Sequence, residues 1–161
     1  MAVDALPSAR KPLKPAQGLL LGTLTVGVLD ILDAFLFFGF QGVPPIRILQ
    51  SIASGLLGRE AYGGGLSTAA LGAFLHFFIA FAVVATYYLA SRRWPGLVRR
   101  PLLYGPLYGL LVYAVMNLVV IPLSAASFAP PDAIGLVNGL LIHALGVGLP
   151  SALFARAAQS E

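Results

Sequence analysis

Apolar residues run almost unbroken through four stretches of the chain, at about residues 18–40, 66–90, 102–126 and 134–156. A helix needs about 20 mostly apolar residues to cross a bilayer, so each stretch predicts one membrane-spanning helix. Polar or proline- and glycine-rich segments separate them. The expected fold is therefore an all-α membrane protein: four transmembrane helices in an up-down bundle, forming one domain over 18–157. The first 17 residues are polar and contain Pro7, Pro12 and Pro15, which predicts a flexible tail. Residues 158–161 form a short C-terminal end. A cleavable signal peptide fits the first stretch poorly, because the run is long, carries aspartates and lacks a small-residue cleavage site.

Between the first two spans, PPIRILQSIASGLLG starts with proline at a helix start. Ile46, Leu49, Ile52, Ala53, Leu56 and Leu57 fall near one face; Arg47, Gln50, Ser51 and Ser54 fall near another. This segment, about 45–57, is too short to span. It reads as an amphipathic helix lying on the outer interface, with a lid over the bundle as a second role.

The spans also repeat. Laid over the third span at an offset of 87, the first places Gly18 on Gly105, Gly22 on Gly109, Asp30 on Asn117 and Pro44 on Pro131. At an offset of 67, the second span places Gly72 on Gly139 and His76 on His143. Two helical hairpins result, each with Gly-x-x-x-Gly, a polar residue, Pro-Pro and Gly-x-x-x-His. Both start on the same side of the membrane, so they are parallel repeats about an axis along its normal. Gly18, Gly22, Gly105 and Gly109 are expected to let helices approach closely, as are Gly135 and Gly139 in GLVNG.

Composition agrees with the spans. Of 161 residues, 58% are hydrophobic and 10% charged, against roughly 45–50% and 25% in soluble domains. Cysteine is absent, which excludes disulfides and thiolate metal sites. The net charge of +4 is explained by topology. Arg10, Lys11, Lys14, Arg92, Arg93, Arg99, Arg100 and Arg156 fall on one side of the spans, and Arg47 and Arg59 on the other. Basic residues mark the cytoplasmic side, so both termini are expected there. Anionic membrane lipids are the natural partner of these residues; nucleic acid is not. Tyr87, Tyr88, Trp94 and Tyr104 read as an aromatic belt at the same interface.

The chemistry lies inside the spans. At a rise of about 1.5 Å per residue, Asp30, Asp33, His76, Asn117 and His143 come to roughly 10–15 Å from the outer ends of their helices. A charged aspartate facing lipid at mid-membrane costs at least about 2.5–3.5 kcal/mol. Asp30 and Asp33 share a helix face and should turn inward, where His76, Asn117 and His143 can meet them. Three readings remain open for this layer. Polar glue is one, although interhelical hydrogen bonds average only about 0.6 kcal/mol. A proton or ion relay is the second: the aspartates and histidines would exchange the proton or hold the ion, Asn117 would orient them, and Thr23 and Thr25 would extend the path. The third is a metal held by His76, His143, Asp30 and Asp33, or a haem between His76 and His143 with room made by Gly72 and Gly139. No hydrolase or P-loop motif occurs, and GGG at 63–65 reads as a hinge.

His76 is followed after 18 residues by Pro95; Asn117 precedes Pro122-Leu123; His143 lies in the last span. This pattern, over about residues 70–157, resembles the YagU-like family of small bacterial inner-membrane proteins. The outer Pro-Pro also fits. Where that family carries a histidine, this chain has Asn117, which removes one candidate ligand; Asp30 and Asp33 have no counterpart. The resemblance implies a bacterial inner-membrane location and supports the topology and the His76/His143 pair. It implies no reaction beyond a loose association with acid tolerance. A small membrane transport or proton-handling protein is the leading expectation. Its rivals are a metal- or haem-binding redox subunit and a structural subunit of a larger complex, and a homo-oligomer would suit so small a chain.

Overall fold

A computed structural model describes residues 13–127 and 130–159. Among them there are only helices, turns and loops. Four helices are long and apolar enough to cross a membrane: Pro15–Gly39, Gly65–Arg93, Pro101–Leu123 and Ala133–Ala157. Their outward faces carry exposed Leu20, Leu24, Leu36, Phe74, Leu118 and Leu141. Water-soluble proteins rarely expose so much contiguous apolar surface, whereas hydrocarbon requires it. The protein is a multi-pass integral membrane protein.

The first span begins earlier than its composition suggests. Proline is compatible with the first helical position, where its missing N–H would have had no partner. Pro15 takes that position, and the Lys14 N–H donates to Gln17 Oε1 at 3.0 Å. Leu13 N–H donates to Ala157 O at 2.9 Å, tying this end to the close of the fourth span. Residues 13–17 are thus anchored rather than a tail; the rest of the expected tail, 1–12, lies outside the described residues, as do 160–161.

The glycines pack closely at the end of the bundle that carries the Arg92–Arg100 loop and the described chain ends, called here the terminal end. Gly18 and Gly22 of the first span face Ala158 and Phe154 at the end of the fourth. Gly105 and Gly109 of the third face Gly148, Leu149 and His143 of the same fourth span. Both glycine pairs therefore pack on the fourth span, Gly22 also on Val84 of the second, and close van der Waals packing is what joins helices in lipid. Gly139 lies under the Tyr113 ring. Gly135 does not pack a neighbouring helix closely. It sits in the first turn of the fourth span, where its N–H caps on Asp132 Oδ1 at 2.8 Å. The second and third spans scarcely approach each other by backbone; they meet through Tyr108, whose hydroxyl donates to Val83 O at 2.7 Å.

Tyr87 and Tyr88 are buried with Ala152 and Ala155 rather than placed in a belt. The Tyr87 hydroxyl donates to Leu97 O at 3.0 Å, and its ring meets Tyr108 edge-on. Small alanines opposite leave a gap that only large rings fill. Trp94 remains exposed, as an interfacial residue should.

The short helix runs Pro45–Leu57, as its pattern predicts, but its buried face differs. Ile48, Gln50, Ala53 and Ser54 are buried, while Leu56 and Leu57 are exposed. Gly72 of the second span is the cause. With no side chain there, the Leu49 carbonyl comes down onto the second span's backbone. Small and hydrogen-bonding groups then suit the contact: Gln50 Nε2 donates to Gly65 O at 3.0 Å. Ala125 N–H donates to Gly55 O at 2.9 Å, so the loop after the third span is tied to the same helix. The helix is docked on the bundle.

Two spans are not regular. A π-helical turn occupies Met116–Val120 in the third and His143–Gly148 in the fourth. In each, an N–H bonds five residues back: Ile121 to Met116 O, and Leu149 to Ala144 O. Each of these donors directly precedes a proline, Pro122 or Pro150. Proline cannot donate and its ring crowds the carbonyl four residues back; a widened turn before it relieves both problems.

Candidate functional site

Away from the terminal end the helices part around a chamber of ≈ 620 Å³. Asp30, Asp33, His76, Asn117 and His143 all line it, so the structure brings every member of the expected polar layer to one cavity. Its floor is made by Val26, Ala80 and Val147, part of a buried plug that also holds Val84. Ile48, Ser51 and Ile52 of the short helix line the opposite end, together with Gln41 and Asp132.

His76 is the buried member. Its Nε2 lies 2.8 Å from Gly27 O on the first span. A carbonyl oxygen only accepts, so Nε2 carries the proton. Nδ1 is then the accepting nitrogen of the neutral ring, and it faces Asp30 Oδ2 at 3.9 Å. His143 is held the other way round. Its Nδ1 lies 2.9 Å from Gly139 O, four residues back in its own helix, and its ring meets Tyr113 edge-on. Nε2 is therefore its accepting nitrogen. Each histidine has one nitrogen fixed as donor to backbone and the other left to take up a proton.

Asp33 accepts from Asn138 Nδ2 of the fourth span at 2.8 Å. Asn117, expected to orient the acids and histidines, instead donates to Tyr113 O of its own helix at 2.9 Å. The amide that orients a carboxylate is Asn138. Its signal was present in the sequence: an amide inside an apolar span is costly unless partnered, but GLVNG reads first as a glycine packing motif. Gly27 was also missed, because its part is played by its carbonyl. Thr23 lies toward the terminal end from the plug, buried, its hydroxyl without a hydrogen-bond partner among the described residues; Thr25 is half-buried.

A metal fits this arrangement poorly. Among the described residues no three His, Asp or Glu side chains converge closely enough to hold an ion. Haem fits no better. The space expected beside Gly72 is filled by the Leu49 backbone, and that beside Gly139 by the Tyr113 ring. Proton exchange needs neither group, and the carboxyl–imidazole pair across the first two spans is equipped for it.

No protein family, curated protein or solved structure matches the chain.

Proposed function

We propose that this membrane protein moves protons, or a solute coupled to them, through the chamber, with Asp30 and His76 as the working pair. The observation that carries the reading is the pinned His76 ring, Nε2 on Gly27 O at 2.8 Å and Nδ1 facing Asp30 at 3.9 Å. The pair shares one titratable proton, held on the carboxyl beside a neutral imidazole or on the imidazole beside a carboxylate. Asp33 and His143 line the same space and extend the relay. The valine-lined plug closes the path toward the terminal end, so passage requires those helices to part, as in alternating access.

The same reading places the arginine loop and both chain ends in the cytoplasm of a bacterial inner membrane, on the positive-inside rule. Membership of the YagU-like family belongs to it as well, as does descent of the two hairpins from one repeat. So small a carrier is expected to work as a homo-oligomer or within a larger membrane complex.

The test is proton flux into liposomes holding the purified chain, read with a trapped pH-sensitive dye. Asp30→Asn should bring flux down to that of empty liposomes with the melting curve unchanged. Flux equal to wild type would overturn the role of Asp30 and leave the polar layer as helix glue.

A further inference from the structure

The Asp30–His76 pair accounts for one wall of the chamber and leaves the rest of its volume unexplained. A proton relay needs a file of waters. This space of ≈ 620 Å³ falls within the roughly 300–1,000 Å³ of small-molecule sites. Its walls are mostly apolar, with the rings of Phe37, Phe38 and Tyr113 among them. Its permanently placed acids outnumber its bases. Asp30, Asp33 and Asp132 line it, and among the described lining residues there is no lysine or arginine.

We propose that the chamber binds a soluble amphipathic organic cation: a protonated or quaternary amine on an apolar or aromatic body. This deepens the proton reading and rests on it. An anion would meet the carboxylates of Asp33 and Asp132 with at most the one proton shared by Asp30 and His76 to offset them. A neutral apolar ligand would strip water from those carboxylates and return no polar contact. A cation satisfies the acids, and aromatic rings attract it further.

The three acids are not equally free to do so. Asp33 already takes the Asn138 amide, and Asp132 takes the Gly135 N–H as a helix cap. Asp30 lies 3.9 Å from the His76 ring and near His143, accepts no hydrogen bond among the described residues, and is the carboxylate left for a ligand. The titratable groups around it are Asp33 on its own helix, His76 on the second span, Tyr113 on the third, and Asp132 and His143 on the fourth; the short helix brings Ser51, which does not titrate. Gln41, Ser51 and Asp132 form a polar end opposite the plug, which suits a ligand arriving from water. Charge then balances simply: as a monovalent cation seats on Asp30, the proton shared with His76 leaves.

The experiment is calorimetric titration of the full chain, in mild detergent at neutral pH, with benzyltrimethylammonium. Benzenesulfonate serves as an anionic ring of similar size, and two buffers of different ionisation enthalpy report protons. The expected result is saturable binding of the cation with release of a proton, and no binding of the sulfonate. Asp30→Asn should weaken the cation by roughly tenfold or more, the scale of one lost charge-assisted contact. Ala34 lines the chamber, so Ala34→Phe should abolish binding by filling it, and this variant keeps the test decisive if Asp30→Asn folds poorly. Absence of cation binding to wild type, or equal binding of cation and sulfonate, overturns the proposal. If Asp30-dependent proton flux persists in that case, the cation proposal falls alone. Cation binding without proton release supports the ligand class while removing the proton reading.

Discussion

The first two spans and the last two, laid over each other at the offsets of 87 and 67, differ in what they do with the matching positions. In the first, both spans are regular α-helices, the polar residues are Asp30, Asp33 and His76, and the histidine reaches across to the neighbouring helix. In the second, both spans widen into π turns, the polar residues are Asn117, Asn138 and His143, and the histidine bonds within its own helix. Within the spans themselves, one hairpin brings the acids and the other brings amides that cannot ionise. Part of the difference is set by two residues. Where the second hairpin has Pro122 and Pro150, the first has Phe35 and Val83 at the offsets that align the repeats. Each proline removes a regular helix bond next to a wider turn, and such turns are frequent at functional sites. Matching positions in sequence thus need not share a backbone conformation.

The sharpest way to break the comparison is at its matched glycines, Gly22 and Gly109. A methyl group at Gly22 would meet the side chains of Val84 and Phe154, which can give. At Gly109 it would meet the backbone of His143 and Ala144, which cannot. Overpacking of this kind costs about 1–3 kcal/mol and occasionally more. Gly109→Ala should fall at or above the top of that range and Gly22→Ala near about 1 kcal/mol. Thermal unfolding in detergent reads both. Equal losses would mean that the two seams are alike after all.

The histidines offer the next contrast. His76→Ala removes a buried ring and a bond between helices, and should cost about 2–3 kcal/mol. His143→Ala removes a half-buried ring whose bond lies within its own helix, for about 1 kcal/mol. The same melts decide it; a larger loss for His143 would reverse their assigned roles.

The prolines can be tested through geometry. Pro122→Ala restores an N–H able to bond back to Leu118 O, so the wide turn should tighten to an α turn. The stretch around Asn117 would then rotate by about 100°. Because the chain has no cysteine, spin labels at Leu36→Cys and Leu118→Cys report this cleanly. Their separation should shift by about 5 Å, the scale of a helix radius with side chains. An unchanged distance would assign the wide turn to packing on the fourth span rather than to proline.

Much of this was legible from residues alone, for physical reasons. A hydrocarbon slab of fixed thickness fixes span length, so the four helices were readable to within a few residues. The cost of a carboxylate in lipid made Asp30 and Asp33 turn inward, and helix rise placed the histidines beside them. What escaped depended on backbone. The π turns hung on prolines that read merely as span residues. The buried face of Pro45–Leu57 was decided by Gly72 on another helix, which brought Gln50 inward and left Leu56 outside. The Gly27 carbonyl, the partner of His76, has no signature in a side-chain alphabet. Tyr87 and Tyr88 look like interface anchors until the alanines opposite them are known.

The smallest effect concerns the sealed end. Thr23 is buried beyond the valine-lined plug with its hydroxyl unpartnered among the described residues. Leaving such a hydroxyl without a partner costs about 1–3 kcal/mol, and valine has nearly the same shape. If Thr23 is only packing, Thr23→Val should stabilise the protein by about 1 kcal/mol and leave liposome proton flux as it was. If the hydroxyl instead hands protons past the plug when the helices part, the same variant melts higher but conducts less. Stability and flux therefore separate the two roles in one substitution. A melting point that falls would overturn the unpartnered hydroxyl itself. The first hairpin would then have a polar contact at its sealed end.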